Sequence, residues 1–162
     1  MCISIGCLIF LTVGGVAGAT LFAVGLLAVL WHQLLLYTGR SGDVQSWSDF
    51  GRLMLILLLN IAGCIIFALI IEPSDEVRMA AEAIVIRRAG SSIIKALANG
   101  IFCGLIMTLA VHSARKQHYW PLLIGIPAFI MAGFTHSIAD AFYYAVGHQV
   151  ITPAAMHTSV IT

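Results

Sequence analysis

The chain has 162 residues, 60% of them hydrophobic and only 9% charged, where a soluble globular domain carries about a quarter of its residues as Asp, Glu, Lys and Arg. So few charges cannot cover a surface that faces water, and a formal net charge of +1 with a pI near 7.8 leaves no basic stripe to neutralise phosphates, which argues against a nucleic-acid partner. Four runs free of Asp, Glu, Lys and Arg, residues 1–39, 53–71, 96–113 and 117–139, meet or approach the roughly 20 apolar residues of a spanning helix; the chain reads as one transmembrane domain, residues 1–162, in a lipid bilayer.

As a single helix the first run would reach roughly 60 Å, about twice the hydrocarbon thickness of a bilayer, so it must fold back. Gly14-Gly15 is the natural hinge. It gives a short, incomplete first span over Cys2 to Val13 and a second from about Ala17 to Tyr37, in which His32 and Gln33 are polar intruders. A polar connection from Thr38 to Asp49 leads to a third span, Phe50 to Ile71, with Asn60 near its middle and Glu72-Pro73 at its end. Ser74 followed by Asp75 and Glu76 reads as an N-cap with an acidic first turn, and Arg87, Arg88 and Gly90 as a basic last turn and a stop. That predicts a short surface helix whose arginines are solvated anchors near span ends.

The fourth span runs from Ser92 to Val111, and Arg115-Lys116-Gln117-His118 returns the chain to water, its basic pair again an expected solvated anchor. The fifth, Trp120 to Val146, is broken: Pro127 lacks a backbone donor, and Gly133 lies beside Thr135, His136, Ser137 and Asp140 at membrane depth. Irregular backbone there is tolerated only where it is buried or lines a cavity. An interrupted helix in second place in each half is the sequence mark of an inverted repeat with its site near the midplane. A sixth span is missing, the tail Gln149 to Thr162 being too short and polar to supply one. Arg40, Arg52, Arg115 and Lys116 fall on one side of the membrane and Arg78, Arg87, Arg88 and Lys95 on the other, which leaves orientation undecided.

Cys2, Cys7, Cys64 and Cys103 lie in apolar runs with no C-x-x-C pair, so they read as small buried side chains and not as disulfides or zinc ligands. His148 and His157, nine residues apart, fit no recognised metal spacing, and no metal or cofactor is expected. The N-terminus lacks the basic region and cleavage site of a secretory signal and reads as mature membrane sequence.

The run Gly133-Phe134-Thr135-His136-Ser137-Ile138-Ala139-Asp140 resembles the G-F-x-H-S-x-A-N signature of the formate/nitrite transporter family. Three more matches follow in order: Gly25-Leu26 with Leu36-Tyr37-Thr38-Gly39, then Asn60-Ile61-Ala62-Gly63, then Asn99-Gly100-Ile101-Phe102-Cys103. The resemblance implies an all-α, aquaporin-like inverted repeat with about five spans present, the second and fifth interrupted, assembled as a homopentamer in a bacterial inner membrane with one pore per protomer. It assigns His136 as the central pore histidine, Phe129 as the aromatic that narrows the passage, Phe22 and Leu26 as residues facing that constriction, and Leu36, Tyr37 and Thr38 as the loop that closes the slit and offers a hydroxyl to the histidine. Asn60, Asn99, Ser137 and Asp140 are support candidates. The chain departs from the family at Asp140, where Asn is usual, and at Gln33 and Leu35, where Gly and a polar residue are common.

The function implied is transport of a small monovalent anion such as formate or nitrite. A histidine with a reference pKa of about 6.5 and the N–H groups that open the half-helix after it would make a charged solute tolerable and link its passage to protons. A non-transporting subunit of the same fold is the alternative. His136, Ser137 and Asp140 include the residue types of a hydrolase triad, but adjacent residues on a helix do not face one another, so an enzyme is not expected.

Overall fold

The computed structural model describes residues 1–147, and every regular element among them is helical. His148, His157 and the tail lie outside the described residues. Helices α1 (Cys2–Val13) and α2 (Gly15–Trp31) form a tight hairpin. Both Gly14 and Gly15 take positive φ, 68° and 55°, a conformation open to glycine at little cost, and this is the fold-back that the length of the first apolar run demands. The two helices then close on each other through small residues: a side chain at Gly6 would stand 2.6 Å from the Phe22 carbonyl oxygen, and one at Gly25 would strike that of Cys2.

After α2 come the single turn α3 (Tyr37–Arg40), a 3-10 turn at Ser41–Asp43, and α4 (Trp47–Ile71), one turn earlier than the apolar pattern indicates. The reason is local: the Ser46 hydroxyl accepts the Asp49 N–H at 3.1 Å and caps the helix there. Helix α5 (Asp75–Ala89) follows, then α6 (Ile93–Arg115), α7 (Trp120–Met131) and α8 (Ser137–Gly147). Ser74 flanks α5 as expected, but its side chain makes no cap bond. Ser92 does cap α6, accepting the Lys95 N–H at 3.3 Å.

Helices α4 and α6 have the length and apolarity to cross a bilayer, with 11% and 17% of their most apolar windows buried inside the protein. Such bare apolar helices belong in lipid or against another subunit. Helices α1, α2 and α7 are apolar but shorter, because each is cut by the hinge or by a break.

The two breaks repeat one geometry. At the end of α2 the N–H groups of His32, Gln33 and Leu34 donate to Ala28, Leu30 and Val29; one hundred positions on, those of Ala132, Gly133 and Phe134 donate to Ala128, Ile130 and Phe129. Each set is a Schellman stop, which requires a left-handed residue, here Gln33 at φ 53° and Gly133 at φ 75°. Helices α3 and α8 then restart at Tyr37 and Ser137. Gln33 and Tyr119 line one cavity while Phe22 meets Phe129, so α2 and α7 run antiparallel and the repeat is inverted.

The expected surface helix is more than a connector. Val77, Ala81 and Ile84, spaced to share one face of α5, are buried and dock it on α8 and α1. Cys7, Cys64 and Cys103 are buried, Cys2 half-buried, and all four are free thiols.

Candidate functional site

The segments that follow the two breaks meet in a hydrogen bond between Thr38 and His136. His136 is 2% exposed and occupies the N-cap of α8, since its carbonyl accepts the first helical bond from Asp140 N–H at 2.8 Å. Its ring completes the cap: the Ala139 N–H donates to Nδ1 at 3.2 Å, the bond that Ser or Asp makes at ordinary N-caps. A backbone N–H can only donate, so Nδ1 presents its lone pair and the neutral ring carries its proton on Nε2. That nitrogen lies 3.2 Å from Thr38 Oγ1, to which it donates. An imidazolium would have to give up the Ala139 bond.

Of the apolar candidates, Phe129 and Phe22 stand beside the ring. Phe129 stacks on His136 with centroids 6.0 Å apart and planes at 27°, and Phe22 meets Phe129 edge-on at 6.4 Å. Phe22, Leu26, Leu36 and Phe129 are all buried, and Tyr37 is half-buried. Phe22, Phe129 and His136 line a cavity of about 30 Å³ that Arg87 and Arg88 also border. Leu26, one turn along α2, lines a larger cavity of about 310 Å³ with Leu36, Arg40 and Arg115. Phe22 and Phe129 thus border one pocket and Leu26 the other, each pocket with two arginines at its wall.

Each break is braced from a different element. At the first, Asn60 on α4 accepts the Tyr37 N–H with Oδ1 and donates through Nδ2 to the Leu35 carbonyl, both at 3.1 Å; it spans Leu36 and fixes the approach of Thr38. At the second, Arg88 reaches over from α5. Its terminal nitrogens donate to Asp140 Oδ2 at 3.2 Å and to the Phe134 carbonyl at 3.3 Å, and Nε lies 3.2 Å from Asp140 Oδ1 as an ion contact without hydrogen-bond alignment. Both side chains are 16% exposed.

Arg88 is thus a half-buried ion-pair partner and not a solvated anchor. It escapes a sequence reading because nothing along the chain joins α5 to α8; the available signal is Asp140, an acid at membrane depth that requires a partner. Arg115 is likewise engaged, in a two-pronged pair with Asp43 at 3.2 and 3.0 Å and a bond to the Gly39 carbonyl at 3.0 Å. Of the other support candidates, Ser137 is exposed at the start of α8 and Asn99 is half-buried on α6.

The model of the formate/nitrite transporter family matches residues 1–161. The chain belongs to that family. As a family member it is an integral membrane protein of a transporter fold. Among solved structures it is similar to a pentameric formate channel with formate bound, at 21% identity and a TM-score of 0.80, over 95% of this chain and 73% of that one. No match was found among curated proteins.

Proposed function

We propose that residues 1–162 form a single transmembrane domain that passes small monovalent anions, such as formate or nitrite, through the interior of the protomer, with His136 linking their passage to protons. The observation that carries the reading is the His136 ring, buried, bonded through both nitrogens, stacked on Phe129 and bordering a cavity that also holds a guanidinium. A bare anion in low-dielectric surroundings costs several kcal/mol. The imidazole, the leading N–H groups of α8 and the positive end of its dipole offset that cost. An anion of a weak acid that takes a proton from His136, once the ring has been protonated on Nδ1 and has released the Ala139 N–H, leaves a neutral imidazole behind and crosses Phe22, Leu26 and Phe129 as a neutral molecule, which a hydrated ion cannot do.

Leu36, Tyr37 and Thr38 form the opposing wall, with Thr38 orienting the ring and Asn60 holding the loop; Asn99, Ser137 and Asp140 act in support. The bare faces of α4 and α6 suit neighbouring subunits and lipid, and the pentameric assembly of the similar channel supports a homopentamer here, in a bacterial inner membrane. Uptake by proteoliposomes of formate and nitrite, against a larger anion, tests the reading across several pH values. The expected result is uptake that rises towards acid pH and loses that dependence in His136→Asn. Proteoliposomes that take up none of these anions would favour the non-transporting subunit and sink the proposal.

A further inference from the structure

The Arg88–Asp140 pair borders the pathway with no step of its own in the scheme above, and its geometry is incomplete. Of the five N–H donors of a guanidinium, Arg88 commits two to hydrogen bonds within the described residues, on Asp140 Oδ2 and the Phe134 carbonyl. Its Nε approaches Asp140 Oδ1 at 3.2 Å, but neither of those two atoms makes a hydrogen bond among the described residues. The same side chain lines the cavity that Phe129 and His136 line. A cation with donors to spare, facing a cavity, is held by a carboxylate that matches the chemistry of formate itself.

We propose that Asp140 is a built-in competitor for the transported anion: it neutralises Arg88 at rest, and an anion in the His136 cavity shares or displaces it on the guanidinium, so that the pair sets how tightly the pathway holds its solute. The physical reason is that a charge buried at membrane depth has to be paired, while a fully exposed positive charge beside the pathway would bind an anion too well to release it; conduction requires binding weak enough to leave. With Asp140 in place, an arriving carboxylate exchanges one partner for another of like chemistry, and the net cost of moving on stays small. The backbone link to Phe134 makes the exchange local, since it keeps the guanidinium over the break while the carboxylate is replaced.

The inference rests on the pathway reading, and the test separates the two. Purified protein in detergent is titrated with sodium formate and with sodium nitrite, following the thermal unfolding midpoint, which rises with occupancy of any site on the folded state. Asp140→Asn, close in shape but uncharged, should respond at about tenfold lower anion concentration than the wild type, by the scale of close charge-pair coupling, and Arg88→Gln/Asp140→Asn should lose most of the response. In proteoliposomes the Asp140→Asn protein should saturate at lower anion concentration with a reduced maximal rate. Equal titration midpoints for the wild type and Asp140→Asn overturn the proposal. Should Asp140→Asn not fold, the double variant decides, because a response equal to the wild type's would mean that Arg88 contributes nothing to anion binding. If the titrations behave as described but the wild type carries no flux, the transport reading falls and the ion-pair role stands.

Discussion

The two helix breaks are built on the same backbone plan and finished in opposite ways. In the first, the restarting turn α3 has Leu36 at its N-cap with no side-chain cap, and the exposed backbone groups on either side of it are taken up by Asn60 from α4. In the second, the capping group is part of the break itself: His136 holds the Ala139 N–H and leaves its other nitrogen for Thr38. The first break is therefore braced by a neutral side chain from another helix, and the second caps itself with a titratable ring. The lesson is that a repeat can keep its hydrogen-bond geometry while one copy gives up a neutral apolar cap for an imidazole.

The largest effect expected from breaking this contrast is at His136. Replacement by Ala removes the α8 cap and strands the Thr38 hydroxyl in a buried site; a lost cap costs about 1 kcal/mol and a stranded buried hydroxyl about 1–3 kcal/mol. Replacement by Asn puts an acceptor back near the cap position but does not reach Thr38. Thermal unfolding should place His136→Asn between the wild type and His136→Ala, whereas pH-dependent uptake should be lost in both. Equal stability of the two variants would show that the ring does not cap α8. At the other break, Asn60→Leu strands the Tyr37 N–H and the Leu35 carbonyl, again at about 1–3 kcal/mol. Because that loop carries Thr38, uptake should fall with stability, although His136 itself is untouched.

How much of this was legible beforehand depends on range along the chain. The hinge at Gly14-Gly15, the break at Gly133 and the first span from Cys2 to Val13 follow from local chemistry, since length, apolarity and a residue tolerant of positive φ are all written in sequence. The grouping of Phe22, Phe129, Thr38 and His136 came through the family resemblance and not from periodicity, because an apolar helix with residues of one kind all round it offers no face to choose. Arg88 was misread for the same reason in reverse: a basic residue in the last turn of an amphipathic helix has an ordinary explanation, and only the fold brings Asp140 to it. The first break was half visible. His32 and Gln33 mark an interruption, yet Gln33 gives no hint that it occupies the position for which the second copy uses Gly133.

That difference sharpens the comparison. A non-glycine residue in the left-handed region costs roughly 1–2 kcal/mol, so Gln33→Gly should stabilise the protein by about 1 kcal/mol or somewhat less, the greater freedom of glycine in the unfolded chain offsetting part of the gain. Gly133→Gln should destabilise by a similar amount. The paired variants, read by thermal unfolding in one detergent, test whether the breaks are equivalent as backbone; opposite signs are expected, and a gain from both would mean that the second break relaxes without its glycine.

The smallest effect belongs to the clamp beneath the first break, where Arg115 holds Asp43 and the Gly39 carbonyl together and so ties the turn after Thr38 to the end of α6. The hydrogen bond from Arg115 holds the Asp43 carboxyl below the usual carboxylate range. The sign follows from linkage: a carboxyl whose folded pKa is depressed contributes its full stability above the unfolded value of about 3.9 and loses it as pH falls through the lower folded value. The pair's side chains are 42% and 46% exposed, so solvent screening limits the contribution to within about 1 kcal/mol. Asp43→Asn should therefore unfold slightly earlier than the wild type at neutral pH, and the gap should begin to close as pH falls below about 4. A gap that persisted in acid would locate the contribution in the shape of the turn and not in the charge of its carboxylate.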